Sequence, residues 1–174
     1  MQPMIDAAFP PGAPTIPPGT HAIAGYLGGH TPHPWAVVEW QRFPHLRKLP
    51  IWVPGQAIEV PEAANTVSCD IVRAAKHLGV SKGCPIVIDL ETAQVSGFDA
   101  NVIDDLHFVG YKVWTYGSRS TVFANPAGDG YWVADYTHSP HMVSGPNVVA
   151  TQWTDGPQFD RSLVRWLAYE TLWH

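Results

Sequence analysis

Positive charge is scarce in this 174-residue chain: ten Lys and Arg stand against fifteen Asp and Glu, for a formal charge of -5. With no basic surface to displace counterions from phosphate, nucleic acid and anionic lipid are excluded as expected partners. Cysteine is equally scarce. Cys69 and Cys84 form no CxxC pair and no disulfide framework, and Cys84, just ahead of an apolar run, reads as a buried free thiol. No apolar run is long enough to cross a bilayer. The chain also opens without a cationic stretch leading into an apolar one. The expectation is therefore a protein that acts without a signal peptide, either inside its producing cell or released by another route, such as assembly into a virus particle. A GxSxG elbow is missing, which removes the usual serine hydrolase. Gly25–Gly29 is not GxGxxG and no Walker lysine follows, so no nucleotide cofactor is expected.

What the chain does hold is 45% hydrophobic and 14% charged residues, with eight Trp and six Tyr, the profile of a globular domain. Flat aromatic faces suit sugar rings as well as cores. The length fits one domain over 1–174, short of the about 250 residues of a full (β/α)8 barrel. There is no internal repeat or low-complexity block, and neither the Pro-rich loop Pro10–Gly19 nor the turn Asn125–Gly130 reads as a linker between domains.

Short apolar runs alternate with helical patterns. Candidate strands are Met4–Phe9, His21–Leu27, Leu49–Val53, Pro85–Glu91, Lys112–Tyr116, Tyr131–Tyr136 and Val148–Trp153, with the least marked eighth near Phe159–Asp160. Their nearly continuous apolar character fits parallel strands covered on both faces. Helices are expected over Pro34–Arg47, with Trp35, Val38, Arg42 and Leu46 at helical spacing, and over Pro61–Leu78 and Phe98–Val109, each stopped by a following glycine. Ser118–Ala124 has room for two turns at most. Arg161–Trp173 reads as a closing amphipathic helix, with Leu163, Trp166, Leu167 and Tyr169 inward. The class is α/β with a parallel sheet, and the thinning of helices in the second half makes it a reduced or irregular (β/α)8 TIM-type barrel.

The sharpest feature is Ile86-Val87-Ile88-Asp89-Leu90-Glu91. Residues i and i+2 of a strand point to one face, so Asp89 and Glu91 should project together. At the C-terminal end of a barrel strand that face is the mouth, where active sites are built. Two carboxylates sharing one apolar-walled site raise one another's pKa, as glycoside cleavage by a carboxyl pair requires. The competing reading is that these acids only cap a strand end or hold backbone amides. Asp6, Asp135 and Asp155 repeat the pattern at the ends of other candidate strands, and if the sheet closes all of these acids gather on one rim.

These residues follow one another in a familiar order: Asp6, then Ile88-Asp89-Leu90-Glu91, then Gly110-Tyr111-Lys112-Val113-Trp114-Thr115-Tyr116. Tyr131-Trp132-Val133-Ala134-Asp135-Tyr136 and Ala150-Thr151-Gln152-Trp153-Thr154-Asp155 complete it. The series resembles the glycoside hydrolase family 25 lysozymes and the related glycoside-hydrolase-like domains of the DUF1906 type found in actinobacteria and their phages. Ala24-Gly25-Tyr26-Leu27-Gly28-Gly29 and Thr31-Pro32-His33-Pro34-Trp35 look closer to the second group. The resemblance implies an irregular barrel acting on the β-1,4 bond between N-acetylmuramic acid and N-acetylglucosamine. It implies Glu91 as general acid, Asp89 as the partner that stabilises developing positive charge, and Asp6 as a rim carboxylate holding the site. Asp160 would match the late family aspartate, and Tyr116, Trp132, Gln152 and Trp153 would line the sugar groove, with Asp135 beside them. The family's small hydroxyl residue two positions after its first aspartate is Ala8 here. The partner implied is peptidoglycan or a related cell-wall polysaccharide. A second implied reading is a non-catalytic module of a phage virion or tail, which docks on virion proteins and binds the host wall.

Two HxPH segments, His30-Thr31-Pro32-His33 and His138-Ser139-Pro140-His141, follow candidate strands and could supply imidazoles to a zinc ion. They lack the tighter spacing of established zinc sites, so they read as loop histidines, with no metal expected.

Overall fold

The computed structural model describes residues 1–12, 15–54, 61–91, 98–124 and 128–174. Parts of the two anticipated loops, residues 13–14 and 125–127, lie outside this set. Eight strands close into a barrel in sequence order: β1 (Gln2–Ala7), β2 (Ala22–Gly29), β3 (Arg47–Val53), β4 (Pro85–Asp89), β5 (Lys112–Ser118), β6 (Gly130–Ala134), β7 (Val148–Thr154) and β8 (Asp160–Val164). The reduced barrel expected from the sequence is the architecture found.

Strand alternation divides the apolar residues into two layers. Met4, Ala24, Leu49, Val87, Trp114 and Trp132 fill the lumen. Their neighbours of opposite parity, among them Ile5, Ile23, Ile86, Ile88 and Val113, form an outer layer under the helices. That layer meets Ile71 and Ala75 of α2 (Pro61–Leu78) and Val102, Ile103 and Leu106 of α3 (Phe98–Val109). Both helices span the residues the periodicity predicts. α3 stops at Gly110, which takes φ of 102° while its N–H reaches the carbonyls of Leu106 and His107. A residue with a side chain adopts that conformation only under strain. After β5, α4 (Arg119–Ala124) covers the sheet, over a small cluster of Val122, Tyr131, Val133, Val143 and Val148.

Two expected helices differ. The first shrinks to α1 (Val37–Trp40). Pro44 has no N–H, and its ring would meet the carbonyl four residues back, which belongs to Trp40, the last residue of the helix. Trp35, Trp40 and Phe43 supply the buried face, while Val38 is exposed. The second correction is at the C-terminus, where residues 160–164 form a strand and the helix is only α5 (Trp166–Tyr169), with Trp166 and Leu167 exposed. Five residues separate β7 from β8, too few for a crossover, so β8 returns as a hairpin and pairs antiparallel with both β7 and β1. The sheet is therefore not wholly parallel. The chain then turns beneath the barrel, where Ala168 and Leu172 join the lumen cluster and Trp173 exchanges backbone hydrogen bonds with Lys48 at 2.6 and 3.0 Å.

Candidate active site

The C-terminal ends of β1, β4, β5 and β7 and the start of β8 meet at one mouth. Asp6 on β1 sits opposite Asp160 on β8 in the antiparallel register, and Asp89 on β4 sits beside Tyr116 on β5. Because β8 runs the other way, its first residue, not its last, reaches the mouth. Gln152 on β7 donates from Nε2 to Asp160 Oδ2 at 2.8 Å, and the Gly156 N–H donates to Asp160 Oδ1 at 3.0 Å.

Asp89 shares the lumen parity of Val87, and its side chain is buried. Glu91 lies just past the strand and is exposed, and its N–H donates to Asp89 Oδ1 at 2.9 Å. The pair is thus one buried carboxyl, Asp89, and one open carboxyl, Glu91. Burial pushes the pKa of Asp89 up to about 6, with the Glu91 charge adding to the rise and the Glu91 N–H opposing it.

Asp6 is held well above the usual carboxyl range, first by burial and then by the charges of Asp160, Asp89 and Glu91. Its Oδ1 is buried with no hydrogen-bond partner among the described residues. Burial also raises Asp160, with the charges of Asp155 and Glu91 adding to it, against the hydrogen bonds from Gly156 and Gln152. These mutual effects put four carboxyls, Asp6, Asp89, Glu91 and Asp160, in one field. Around them stand three phenols. Tyr116 Oη and Tyr136 Oη lie 3.3 Å apart. Burial raises the pKa of Tyr26, Tyr116 and Tyr136, and neighbouring carboxylates raise each further, so all three stay protonated.

An open cleft of about 420 Å³ runs along the β1–β8 side of the mouth. Asp6, Tyr26 and Asp160 line it, together with Phe9 from the loop after β1 and Phe159 from the loop before β8. Its volume is in the range of small-molecule sites, about 300–1,000 Å³. Asp89 and Glu91 do not line this cleft; they stand three strands round the barrel and act on it through charge.

Of the residues singled out in the sequence, Asp6, Asp89, Glu91, Tyr116, Gln152 and Asp160 converge here. Trp132 lies one layer below. It is 1% exposed, its ring centroid is 4.9 Å from that of Tyr116, and its Nε1 donates to Ser162 Oγ at 3.1 Å, so it forms the floor rather than a sugar platform. Asp135 has the opposite parity to Ala134 and pairs outside the mouth with His141 Nε2 at 2.9 Å. Trp153, opposite in parity to Gln152, lines a separate cleft with Phe159 and Arg161. Asp155 is exposed beyond β7. Three of the four histidines of the HxPH segments are engaged separately: His33 with Glu39, His138 with Thr154 and His141 with Asp135. Among the described residues, no three metal-ligating side chains come together.

Sequence reasoning missed Tyr26, Tyr136 and Phe9. Tyr26 had a usable signal, since it follows Ala22 and Ala24 at period two, so small lumen residues lead to a large polar one at the strand end. Tyr136 follows Trp132 and Ala134 in the same way.

No family model matches the chain, and no curated protein matches it in sequence. Its likeness to solved structures is in the fold. The Mycobacterium tuberculosis Tat-secreted protein Rv2525c, solved in complex with L-tartrate, superposes with a TM-score of 0.75 at 13% identity, covering 99% of each chain. GHIP, a glycosyl hydrolase 25 of Streptococcus pneumoniae, gives 0.65 at 13% identity over 98% of this chain and 90% of that one. The modular autolysin LytC of the same species, in complex with a synthetic peptidoglycan ligand, gives 0.68 at 15% over 92% of this chain and 46% of its own. What the chain shares with these proteins is the fold, a closed eight-stranded barrel.

Proposed function

We propose that this barrel binds bacterial cell-wall glycan at its mouth and cleaves a β-1,4 bond between N-acetylmuramic acid and N-acetylglucosamine. The observation that carries the reading is the gathering of Asp6, Asp89, Glu91 and Asp160 within one field at an open mouth, in a fold shared with a glycosyl hydrolase 25. Glu91, the exposed member, gives its proton to the glycosidic oxygen as the C1–O bond breaks. A water oxygen then adds to C1, and the proton it sheds returns to Glu91. Asp89, ionised above about pH 6 and oriented by the Glu91 N–H, faces the positive charge that develops on the sugar ring. Glycoside cleavage uses a pair of carboxyls, one giving the proton and one remaining an anion. Asp6 and Asp160 hold the mouth, with Gln152 fixing Asp160.

The test is turbidity of purified cell walls. Wild-type protein is expected to clear them, and Glu91→Gln to slow clearing by about 10²–10⁴-fold, the usual contribution of a general acid. Walls left turbid by the wild type would remove the catalytic reading.

One observation favours a second reading, a wall-binding module without catalysis, such as a component of a phage virion or tail. Asp6 Oδ1 is buried with no partner among the described residues, and the residue two positions on, which shares its strand face, is Ala8 rather than a hydroxyl residue. A pelleting assay in which wild type and Glu91→Gln bind walls equally while neither clears them would support this reading, and mass spectrometry of purified virions would locate the protein.

A further inference from the structure

Phe9 is 60% exposed and lines the cleft that also holds Asp6 and Asp160. A single exposed apolar side chain means little by itself. This one is held in place. Its ring stacks on His33, with centroids 5.3 Å apart and planes at 27°. Nε2 of His33 lies 2.9 and 3.0 Å from the two oxygens of Glu39. Glu39 is fixed in turn by the Ala36 N–H, which donates to Oε2 at 2.7 Å. One face of Phe9 is therefore backed by a braced imidazole, and Phe9 lines the same cleft as Asp6, Tyr26 and Asp160. Phe159, partly buried against the core, also lines this cleft, with the Arg161 guanidinium over its ring, 5.8 Å from the centroid.

A pyranose ring has the complementary form. Its faces carry C–H groups, which the negative face of an aromatic ring attracts, and its edge carries hydroxyls, which carboxylates and phenols bind. Ordering the platform before binding removes an entropic cost that a loose side chain would impose at the moment of binding. We propose that Phe9 is a stacking platform for one N-acetylhexosamine ring, forming with Phe159, Asp6 and Asp160 a saccharide subsite on the β1–β8 side of the mouth. This rests on the glycan reading above and adds to it the residue that grips the sugar. His33 is a positioning residue that acts through Phe9.

The experiment is calorimetric titration of the full chain with tri-N-acetylchitotriose, a soluble trisaccharide of N-acetylglucosamine. Phe9→Ala is expected to weaken binding about tenfold with no change in melting temperature, while Phe9→Trp preserves it. His33→Ala is expected to weaken binding less, and Phe9→Ala/His33→Ala to bind no worse than Phe9→Ala alone, because both act through one contact. Phe9→Ala binding as tightly as wild type, additive losses in the double variant, or a wild type that does not bind the trisaccharide would each overturn the subsite. The catalytic reading fails separately. Trisaccharide binding that depends on Phe9, in a protein that clears no walls, keeps the subsite and removes the hydrolase. Wall clearing that depends on Glu91, together with binding indifferent to Phe9, does the reverse.

Discussion

Asp89 shows what a carboxyl at the lumen end of a strand does to the molecule that carries it. Its pKa in the folded protein, about 6, lies above the ordinary carboxyl value of 3.8. The folded state therefore binds this proton more tightly than the unfolded state does. Folding stability is highest below the unfolded pKa, and the contribution of Asp89 is lost as pH rises through about 6. Converted to free energy, the shift corresponds to about 3 kcal/mol at neutral pH, a cost tolerated for an anion placed beside the site. Asn keeps an oxygen that can accept the Glu91 N–H and has no charge to bury. Asp89→Asn is expected to stabilise the protein at pH 7 by about 1–3 kcal/mol and to leave it nearly unchanged at pH 4. Urea unfolding at the two pH values measures this; equal effects at both would show that burial of the charge is not the source.

Among the elements, those whose fate is decided by their own sequence were legible, and those decided by a neighbour were not. The stripe Val102, Ile103 and Leu106 and the stop at Gly110 give α3 without reference to anything else. Gly110→Ala tests the stop. An added Cβ would meet nothing closer than the flexible Lys82 side chain at 3.4 Å, so the cost comes from the positive φ. A loss of about 1–3 kcal/mol is expected in thermal or urea unfolding. β8 shows the opposite case. Leu163, Trp166 and Leu167 fit a helical spacing, but the short connection after β7 turns residues 160–164 into the returning arm of a hairpin. α1 was overestimated because Trp35, Trp40 and Phe43 bury one another while Pro44 ends the helix. The site divides in the same way. Asp89 and Glu91 were readable from parity on one strand. Asp135 also follows an apolar run, yet its parity turns it to the outside and to His141. Tyr26 carried a period-two signal that could have been read, whereas Phe9 becomes a functional candidate only once β1, β2 and β8 stand side by side.

At the scale of the whole molecule, the barrel is open at one end and closed at the other, and the two ends have different chemistry. The mouth gathers acids that repel one another and, being buried, favour neutral forms. The opposite end is sealed by the chain's own last residues: Leu172 is 2% exposed within the lumen cluster, and Trp173 pairs with the backbone of Lys48 at the start of β3. Closure ties the ends together, since β8 bridges β1 and β7 and the segment after it supplies the plug. A loss at the plug is therefore a loss to the whole barrel. Leu172→Ala removes the buried side chain and leaves a cavity at the base, with an expected cost of about 2–5 kcal/mol. Because the cavity lies at the far end from the acids, trisaccharide affinity at a temperature where the variant remains folded should match that of wild type. Urea unfolding followed by calorimetry checks both. A large stability loss with unchanged binding places the base in support of the fold alone, whereas a parallel loss of binding would mean that packing at the base sets the geometry of the mouth.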